Sequence, residues 1–233
     1  MKRVAIVGAE EQTRALAPWD NPDFDIWLFN DWAAHDWCKR FDATIDIHPV
    51  SVIKNPANAR IPDYWGWLTK ERGKLIYMQE ALKEVPDSAK YPLDEINTEF
   101  MTTLTFEGER VKIFRSSVAY AVALALYQQR PLIDIWGVEL VASSEYRSEK
   151  DNFAFWVGLA TGRKVPVTLH CSRGTFDMPL YGYEDSGLTN NRLVDYIKGM
   201  TEQKNEVLKQ TAMLDGALQF AVQLQKDIGD AKA

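Results

Sequence analysis

The sequence predicts an α/β fold: a Rossmann-like, mostly parallel sheet with helices on both faces, followed by a long C-terminal helix. Three observations predict it. Short apolar runs at 3–7 (RVAIV), 24–29 (FDIWLF) and 43–47 (ATIDI) alternate with short helical stretches and brief connections, the pattern of β-α-β units. Residues 118–126 (VAYAVALAL) form a helix that is apolar on nearly every side, and such a helix has to be covered on both faces. Two β-rich runs, 110–114 and 132–136, flank that helix. A helical crossover between them makes a parallel pair.

The first strand, 3–7, ends at Gly8, and AEEQTRALAPWD reads as a turn and a short helix stopped by Pro18. Strand, glycine, helix is the layout of a phosphate-binding first turn. Only one glycine is present, and Glu10 and Glu11 stand where a pyrophosphate needs bare backbone. A tight turn that needs a glycine explains Gly8 equally. The second strand, 24–29, leads to Asn30-Asp31, a helix cap before an aromatic helix at 31–39. The third strand, 43–47, ends at His48-Pro49. Residues 50–110 are the least regular part: loop at 54–58, a short helix at 62–70 with Tyr64, Trp65 and Trp67, a strand at 74–77 and a helix at 93–102. The stretch reads as a lid-like insertion or as a small secondary core.

The central unit follows. Arg115 ends the strand at 110–114, Ser116 and Ser117 open the apolar helix, and the strand at 132–136 runs into Gly137-Val138-Glu139. Beyond it, VASSEYRSEKD is a polar loop. Asp151 is positioned to cap a helix at 152–161, and 164–169 reads as a strand. From Thr189 to about Ile228 the chain reads as one helix with an imperfect heptad stripe, Ile197, Met200, Val207, Leu214, Leu218, Ala221 and Ile228. The expected organisation is a ligand-binding domain at 1–188 and a helical oligomerisation tail at 189–233. The tail pairs in a two-fold dimer or folds back as a hairpin on its own domain.

Composition bounds the function. Hydrophobic residues make up 46% and charged residues 26%, as in soluble globular proteins. No run reaches the ~18 apolar residues of a membrane span, and the apolar run after Met1-Lys2-Arg3 is too short for a signal peptide. A net charge of −6 argues against a protein that coats duplex nucleic acid, while leaving room for one small anion in a local basic pocket. Cys38 and Cys171 lie in no metal spacing, so free thiols in a reducing, cytoplasmic compartment are expected.

Gly8, Asn30, His48 and Glu139 all follow strands, and parallel strands gather such positions at one edge, where open α/β sheets bind ligands. The helix opened by Ser116 offers free N–H groups, hydroxyl donors and the Arg115 charge to an anion. Ser116 as a plain N-cap and His48 as a strand-end histidine bonded to backbone are the alternatives. Glu139 is placed to hold a ribose hydroxyl pair, or Mg²⁺ beside phosphates if the protein is an enzyme. Glu145 and Tyr146 become acid or base if their loop covers the site. Zinc spacing, a nucleophile elbow and a Gly-Lys-Ser/Thr phosphate loop are all missing. The ligand-facing set is Gly8, Thr13, Arg14, Asn30, His48, Arg115, Ser116, Ser117, Tyr120, Gly137, Glu139, Glu145 and Tyr146. No residue is assigned as catalytic or as a resident metal ligand, and no cofactor is assigned.

The order VGAEEQTRALAPWDNPDFDIWLFND, FDATIDIH, SSVAYAVALALYQQRPLIDIWGVEL and SSEY, with the Trp-Val-Gly-Leu-Ala helix and LDGALQ, resembles Rossmann-like proteins of tailed phages over nearly the whole chain. More remotely, the layout is similar to hydroxymethylpterin diphosphokinase-like and motility-accessory-factor proteins and to bacterial sialyltransferases. Their shared positions correspond to Gly8, Asn30, Ser117 and Gly137-Val138-Glu139, and the resemblance implies that these bind nucleotide phosphate, sugar or metal. The usual Gly-x-Gly-Pro-Ser first turn is replaced by Gly8-Ala9-Glu10-Glu11-Gln12-Thr13, which leaves Thr13 as the hydroxyl donor. The acceptor-side machinery of a sialyltransferase is not recognisable. The resemblance implies a phage-encoded protein in the host cytoplasm that binds a nucleotide-derived phosphorylated molecule and sequesters a host immune signal. The alternative is a nucleotide-dependent glycosyl- or diphosphotransferase. A structural protein with an inherited, empty core is the third reading.

Overall fold

The computed structural model describes residues 1–58, 60–102, 104–138, 144–170 and 190–230, without the side chains of 56, 144–148, 190–195, 226 and 228–230. In chain order the elements are β1 (Arg3–Val7), α1 (Glu11–Arg14), β2 (Phe24–Phe29), a 3₁₀ turn (Asn30–Ala34), β3 (Ala43–Ile45), α2 (Val50–Ile53), a second 3₁₀ turn (Pro56–Asn58), α3 (Tyr64–Leu68), β4 (Leu75–Met78), β5 (Ser88–Lys90), α4 (Leu93–Phe100), β6 (Thr105–Phe106), β7 (Glu109–Arg110), α5 (Ser117–Tyr127), β8 (Ile133–Trp136), α6 (Ser144–Gly162), β9 (Val167–His170) and α7 (Asn190–Asp230).

Seven strands form one sheet in the order β5-β4-β3-β2-β1-β8-β9, and every pairing in it is parallel. The strand order reverses between β1 and β8, which places the topological switch point at the carboxyl ends of those two strands. Side chains alternate between two buried faces. Val4 and Ile6 of β1 join the core beneath α5, whereas Ala5 and Val7 join Ile26, Leu28 and Trp19 on the other side. The period-2 geometry of a strand demands this when both faces are covered. Within α5, Val118, Ala119 and every residue from Ala121 to Leu126 are buried, as expected of a helix with no polar face. The small alanines let α5 approach α6 and the strands closely.

Four expectations are corrected. Residues 110–114 do not form a strand of the main sheet. Glu109–Arg110 pairs antiparallel with Thr105–Phe106 in a separate ribbon, and the chain then reaches α5 held by side chains. Trp156 donates its indole N–H to the Ile113 carbonyl at 2.7 Å, and Ile113 and Phe114 pack on the core. Residues 50–110, read as a lid-like insertion or a small secondary core, contain the strand read at 74–77 as β4 and a separate core cluster around Tyr64, Leu68 and Ile76, and they add β5, read as loop, to the main sheet. The aromatic segment after β2 is one 3₁₀ turn, because His35 turns extended. There Trp32, His35 and Trp37 stack on one another, with Trp32–His35 and His35–Trp37 centroids 5.0 and 5.8 Å apart, and this packing overrides helical continuation. α6 begins at Ser144, so Asp151 lies inside the helix and does not cap it.

Two compact units are present, Met1–Met178 and Pro179–Ala233. The second contains α7, whose 41 residues extend about 60 Å at the α-helical rise. Its stripe residues Ile197, Met200, Val207, Leu214 and Leu218 are all exposed. No helix among the described residues is long and apolar enough to cross a membrane.

Candidate functional site

A cavity of about 700 Å³ opens at the switch point. Its walls come from Ala9 and Glu10 after β1, Asn30 and Trp32 after β2, Ile47 and His48 after β3, Phe114 to Val118 and Tyr120 at the start of α5, and Gly137 and Val138 after β8. This size is ordinary for a small-molecule site. The parallel sheet therefore brings strand-end residues from distant parts of the sequence into one wall.

One end of the cavity is formed by the start of α5. Ser116 is buried and extended, and its hydroxyl oxygen accepts the Ala119 N–H at 3.3 Å, a helix N-cap. The N–H groups of Ser117 and Val118 belong to the first turn, ahead of the intrahelical ladder, and the dipole of an 11-residue helix favours negative charge there. Arg115 sits beside this turn in the cavity wall. Ser117 donates its hydroxyl hydrogen to Asn30 Oδ1 at 2.8 Å. That bond fixes the carboxamide and leaves the Asn30 NH₂ as the group available to a ligand. Asn30 itself is left-handed, with φ 55°, a conformation asparagine tolerates better than most residues. The Tyr64 hydroxyl lies 3.0 Å from its carbonyl and shares its one hydrogen between that oxygen and Asp46, and the Thr44 hydroxyl lies 3.5 Å from it.

The end of β3 carries a hydrogen-bonded carboxylate–histidine pair. His48 Nδ1 lies 2.7 Å from Asp46 Oδ1, and the His48 backbone N–H donates to the same oxygen at 3.2 Å. The Tyr64 hydroxyl lies 3.0 Å from the other oxygen, Asp46 Oδ2. Asp46 is 1% exposed, so His48 and Tyr64 compensate its buried charge. A carboxylate accepts, so Nδ1 carries the hydrogen and, in the neutral ring, Nε2 is the basic nitrogen. The Asp46 hydrogen bond and charge, with Asp31, hold the imidazolium above the ordinary histidine range, against partial burial and Arg60. Burial and the Asp46 carboxylate raise the Tyr64 phenol well above its usual range, so Tyr64 keeps its proton.

The first turn is occupied by its own side chain. Glu10 accepts the N–H groups of Gln12 and Thr13 at 2.7 and 2.9 Å and the Thr13 hydroxyl at 2.7 Å. Desolvation works against the Glu10 carboxylate, but these bonds and Arg14 outweigh it and hold the group below the usual carboxylate range. Thr13 Oγ1 also accepts the Gly137 N–H at 2.8 Å. Arg14 donates to the Ala9 carbonyl and covers the Trp37 ring at 4.3 Å. The Glu10, Gln12 and Thr13 N–H groups of this turn are therefore engaged within the protein.

Gly8 and Gly137 cross in backbone contact. The Gly8 N–H donates to the Trp136 carbonyl at 2.8 Å, and the Glu10 N–H to the Gly137 carbonyl at 2.9 Å. A Cβ on Gly8 would overlap the Gly137 carbonyl oxygen, and Gly137 has φ +63°. Gly8→Ala is expected to lose about 1–3 kcal/mol through overpacking, lowering Tm by about 2–4 °C per kcal/mol for a chain of this size. Gly158→Ala, where an added Cβ meets nothing within 4 Å, should melt at or above wild type. Equal melting temperatures for the two variants would contradict the close crossing.

Of the residues predicted to face a ligand, Asn30, His48, Arg115, Ser116, Ser117, Tyr120 and Gly137 line the cavity. Gly8, Thr13 and Arg14 stand beside it and shape it through the contacts above. Glu139 lies outside the described residues, as do the side chains of Glu145 and Tyr146, whose backbone opens α6. Among the described residues no cluster of three side chains suited to a metal occurs. Sequence reasoning missed Asp46 and Tyr64. The available signal was Asp46-x-His48 at the end of a strand, a spacing that puts both side chains on one side.

No family model matches the chain, and no curated protein matches it. Among solved structures it is similar to the sialyltransferase CstII from Campylobacter jejuni in complex with the substrate analogue CMP-3FNeuAc, at 15% identity over 75% of this chain and 83% of that one, with a TM-score of 0.47. It is also similar to the monofunctional α-2,3-sialyltransferase Cst-I from Campylobacter jejuni, at 12% identity over 89% and 96%, with a TM-score of 0.47. Both likenesses concern backbone arrangement, and neither transfers a residue role to this chain.

Proposed function

We propose that the cavity binds a nucleotide-derived phosphorylated small molecule and that the protein is a nucleotide-dependent transferase acting on it. The observation that carries this reading is a single cavity with an anion end and an acid–base end. The start of α5, with Arg115 and the Asn30 carboxamide held by Ser117, suits a phosphate. In the same cavity, His48 is held by Asp46 at 2.7 Å as a histidine is held for proton transfer. A phosphate that leaves with negative charge is stabilised at the first end while a nucleophile loses its proton at the second.

One feature favours capture without conversion: the first turn, whose donors are filled by Glu10. On that second reading, the phage resemblance makes the protein a sequestrant of a host nucleotide signal. Incubation with nucleotide-activated donors, followed by denaturation and mass analysis, separates the two. Altered products support transfer. Intact ligand recovered in stoichiometric amount supports capture.

The exposed apolar stripe of α7 supports a proposed two-fold dimer through this helix. Sedimentation at micromolar concentration should give a dimer, and the double variant Leu214→Asp, Leu218→Asp a monomer. A monomeric wild-type chain would remove the dimer from the account.

A further inference from the structure

We infer that α7 carries a second apolar stripe, and that this stripe joins two α7-paired dimers into a bundle of four copies of the chain. This rests on the pairing through the first stripe proposed above. Between Gln210 and Gln225 the only charged residue is Asp215, so this part of the helix is apolar over more than one face. At roughly 100° per residue, Val207, Leu214, Leu218 and Ala221 share one stripe. Met213, Ala217, Phe220 and Leu224 share another, about 100° around the helix from the first. Met213, Phe220 and Leu224 are 77%, 69% and 49% exposed, and pairing through the first stripe leaves them in water. A two-stranded coiled coil uses one seam. Two seams near a right angle suit a helix that touches two neighbours at once, as in a four-helix bundle. The described residues hold one such helix per chain, so the bundle takes four copies.

The second stripe is short. Read toward the N-terminus it continues as Gln210, Glu206 and Gln203. The contact is therefore confined to about 16 Å of helix, and it is weaker than pairing along the longer first stripe.

Its residues also set the direction of the contact. In an antiparallel pair, Met213 meets Leu224 of the second copy and Ala217 meets Phe220. The small residue then lies against the large one, and the layers fill. A parallel pair sets Phe220 against Phe220 and leaves Ala217 facing Ala217. Charge points the same way. Lys209 and Asp227 lie on one flank of the stripe, a turn beyond its two ends. Antiparallel helices bring identical flanks together, which places Lys209 of each copy beside Asp227 of the other. In a parallel pair that flank meets the opposite one, where Gln210 stands. Within the helix, Lys209 lies 3.9 Å from Glu206, and Asp227 accepts the Gln223 amide at 2.7 Å. These are exposed single-turn contacts, which contribute little and leave both charges open to a second copy.

Sedimentation velocity of the full chain across concentration tests the assembly. A dimer is expected at low micromolar concentration and a tetramer near millimolar. The double variant Met213→Asp, Phe220→Asp should lose the tetramer and keep the dimer, with the helical circular dichroism of wild type. Gln219→Asp, on the polar side of α7, should associate as wild type does. Direction is read by oxidative cross-linking in a Cys38→Ser, Cys171→Ser background. Chains carrying Met213→Cys, mixed with chains carrying Leu224→Cys, should give the mixed disulfide in excess over either symmetric one. A wild-type chain that stays dimeric near millimolar concentration overturns the second stripe's role and leaves the first-stripe dimer standing; this stripe is then covered by its own chain or by another partner. A tetramer that survives in Met213→Asp, Phe220→Asp also overturns it, and an excess of symmetric disulfides overturns the antiparallel contact. A wild-type chain that is monomeric at every concentration overturns the pairing of both stripes together.

Discussion

His48→Gln is expected to lower turnover of a nucleotide-activated donor by about 10²–10⁴-fold, the usual worth of a positioned general acid or base, while nucleotide affinity stays within about threefold. The split follows from geometry. His48 lines the same cavity as the start of α5, and its anchor is the buried Asp46 carboxylate, 2.7 Å from Nδ1. Glutamine keeps much of the side-chain volume and can donate to Asp46, but it has no basic nitrogen. Single-turnover kinetics beside calorimetric titration gives both numbers on one preparation. The wild-type rate should rise with pH along a limb displaced above the ordinary histidine range of about 6.5, because the Asp46 hydrogen bond raises the His48 pKa. A His48→Gln protein with undiminished turnover would return this residue to a structural role.

Arg115→Ala is expected to weaken binding of a phosphate-bearing nucleotide by roughly 10–150-fold, corresponding to the roughly 1.5–3 kcal/mol of a hydrogen bond to a charged group. Its guanidinium is at the cavity wall beside the first turn of α5. Helix N–H groups orient an anion, but the full unit charge comes from this side chain. The loss should be much smaller for the uncharged nucleoside, which presents no phosphate to the arginine. Calorimetric titration of a nucleotide and its nucleoside against wild type and variant forms a cycle that isolates the phosphate contribution. Equal losses for both ligands would place Arg115's effect elsewhere.

Much of the fold was legible because its signals are local. RVAIV and FDIWLF became β1 and β2 with the expected bounds, and the apolar run after Ser116 became α5. Regions governed by packing were less legible. Residues 111–114 look like a strand, yet Ile113 and Phe114 are held by Trp156 and the core and not by a ladder. β4 was legible as the strand at 74–77, whereas β5 is three residues long and lies between Pro86 and Pro92, where the sequence reads as loop. At the site, strand-end logic brought Asn30, His48 and Gly137 to one cavity, because parallel strands force their carboxyl ends together, whereas Ser117 reaches it as the start of α5 and not from a strand end. That logic did not tell which strand ends are self-satisfied. Only coordinates reveal that Glu10 fills the first turn. Asp46 and Tyr64 were hidden for a related reason. One reads as a strand residue and the other as a loop aromatic, and their roles come from a contact 18 residues apart in sequence.

On the function proposed above, the cavity at the β1–β8 switch point is a nucleotide-type phosphate site. Native mass spectrometry of the purified protein with a panel of nucleotides, dinucleotides, ADP-ribose derivatives and nucleotide-sugars tests it most directly. The account predicts one saturable nucleotide-type ligand per chain in the wild type, with its occupancy sharply reduced in Arg115→Ala. Wild-type protein that retains no member of the panel at millimolar concentration, or Arg115→Ala protein that retains the ligand as well as wild type, would contradict it.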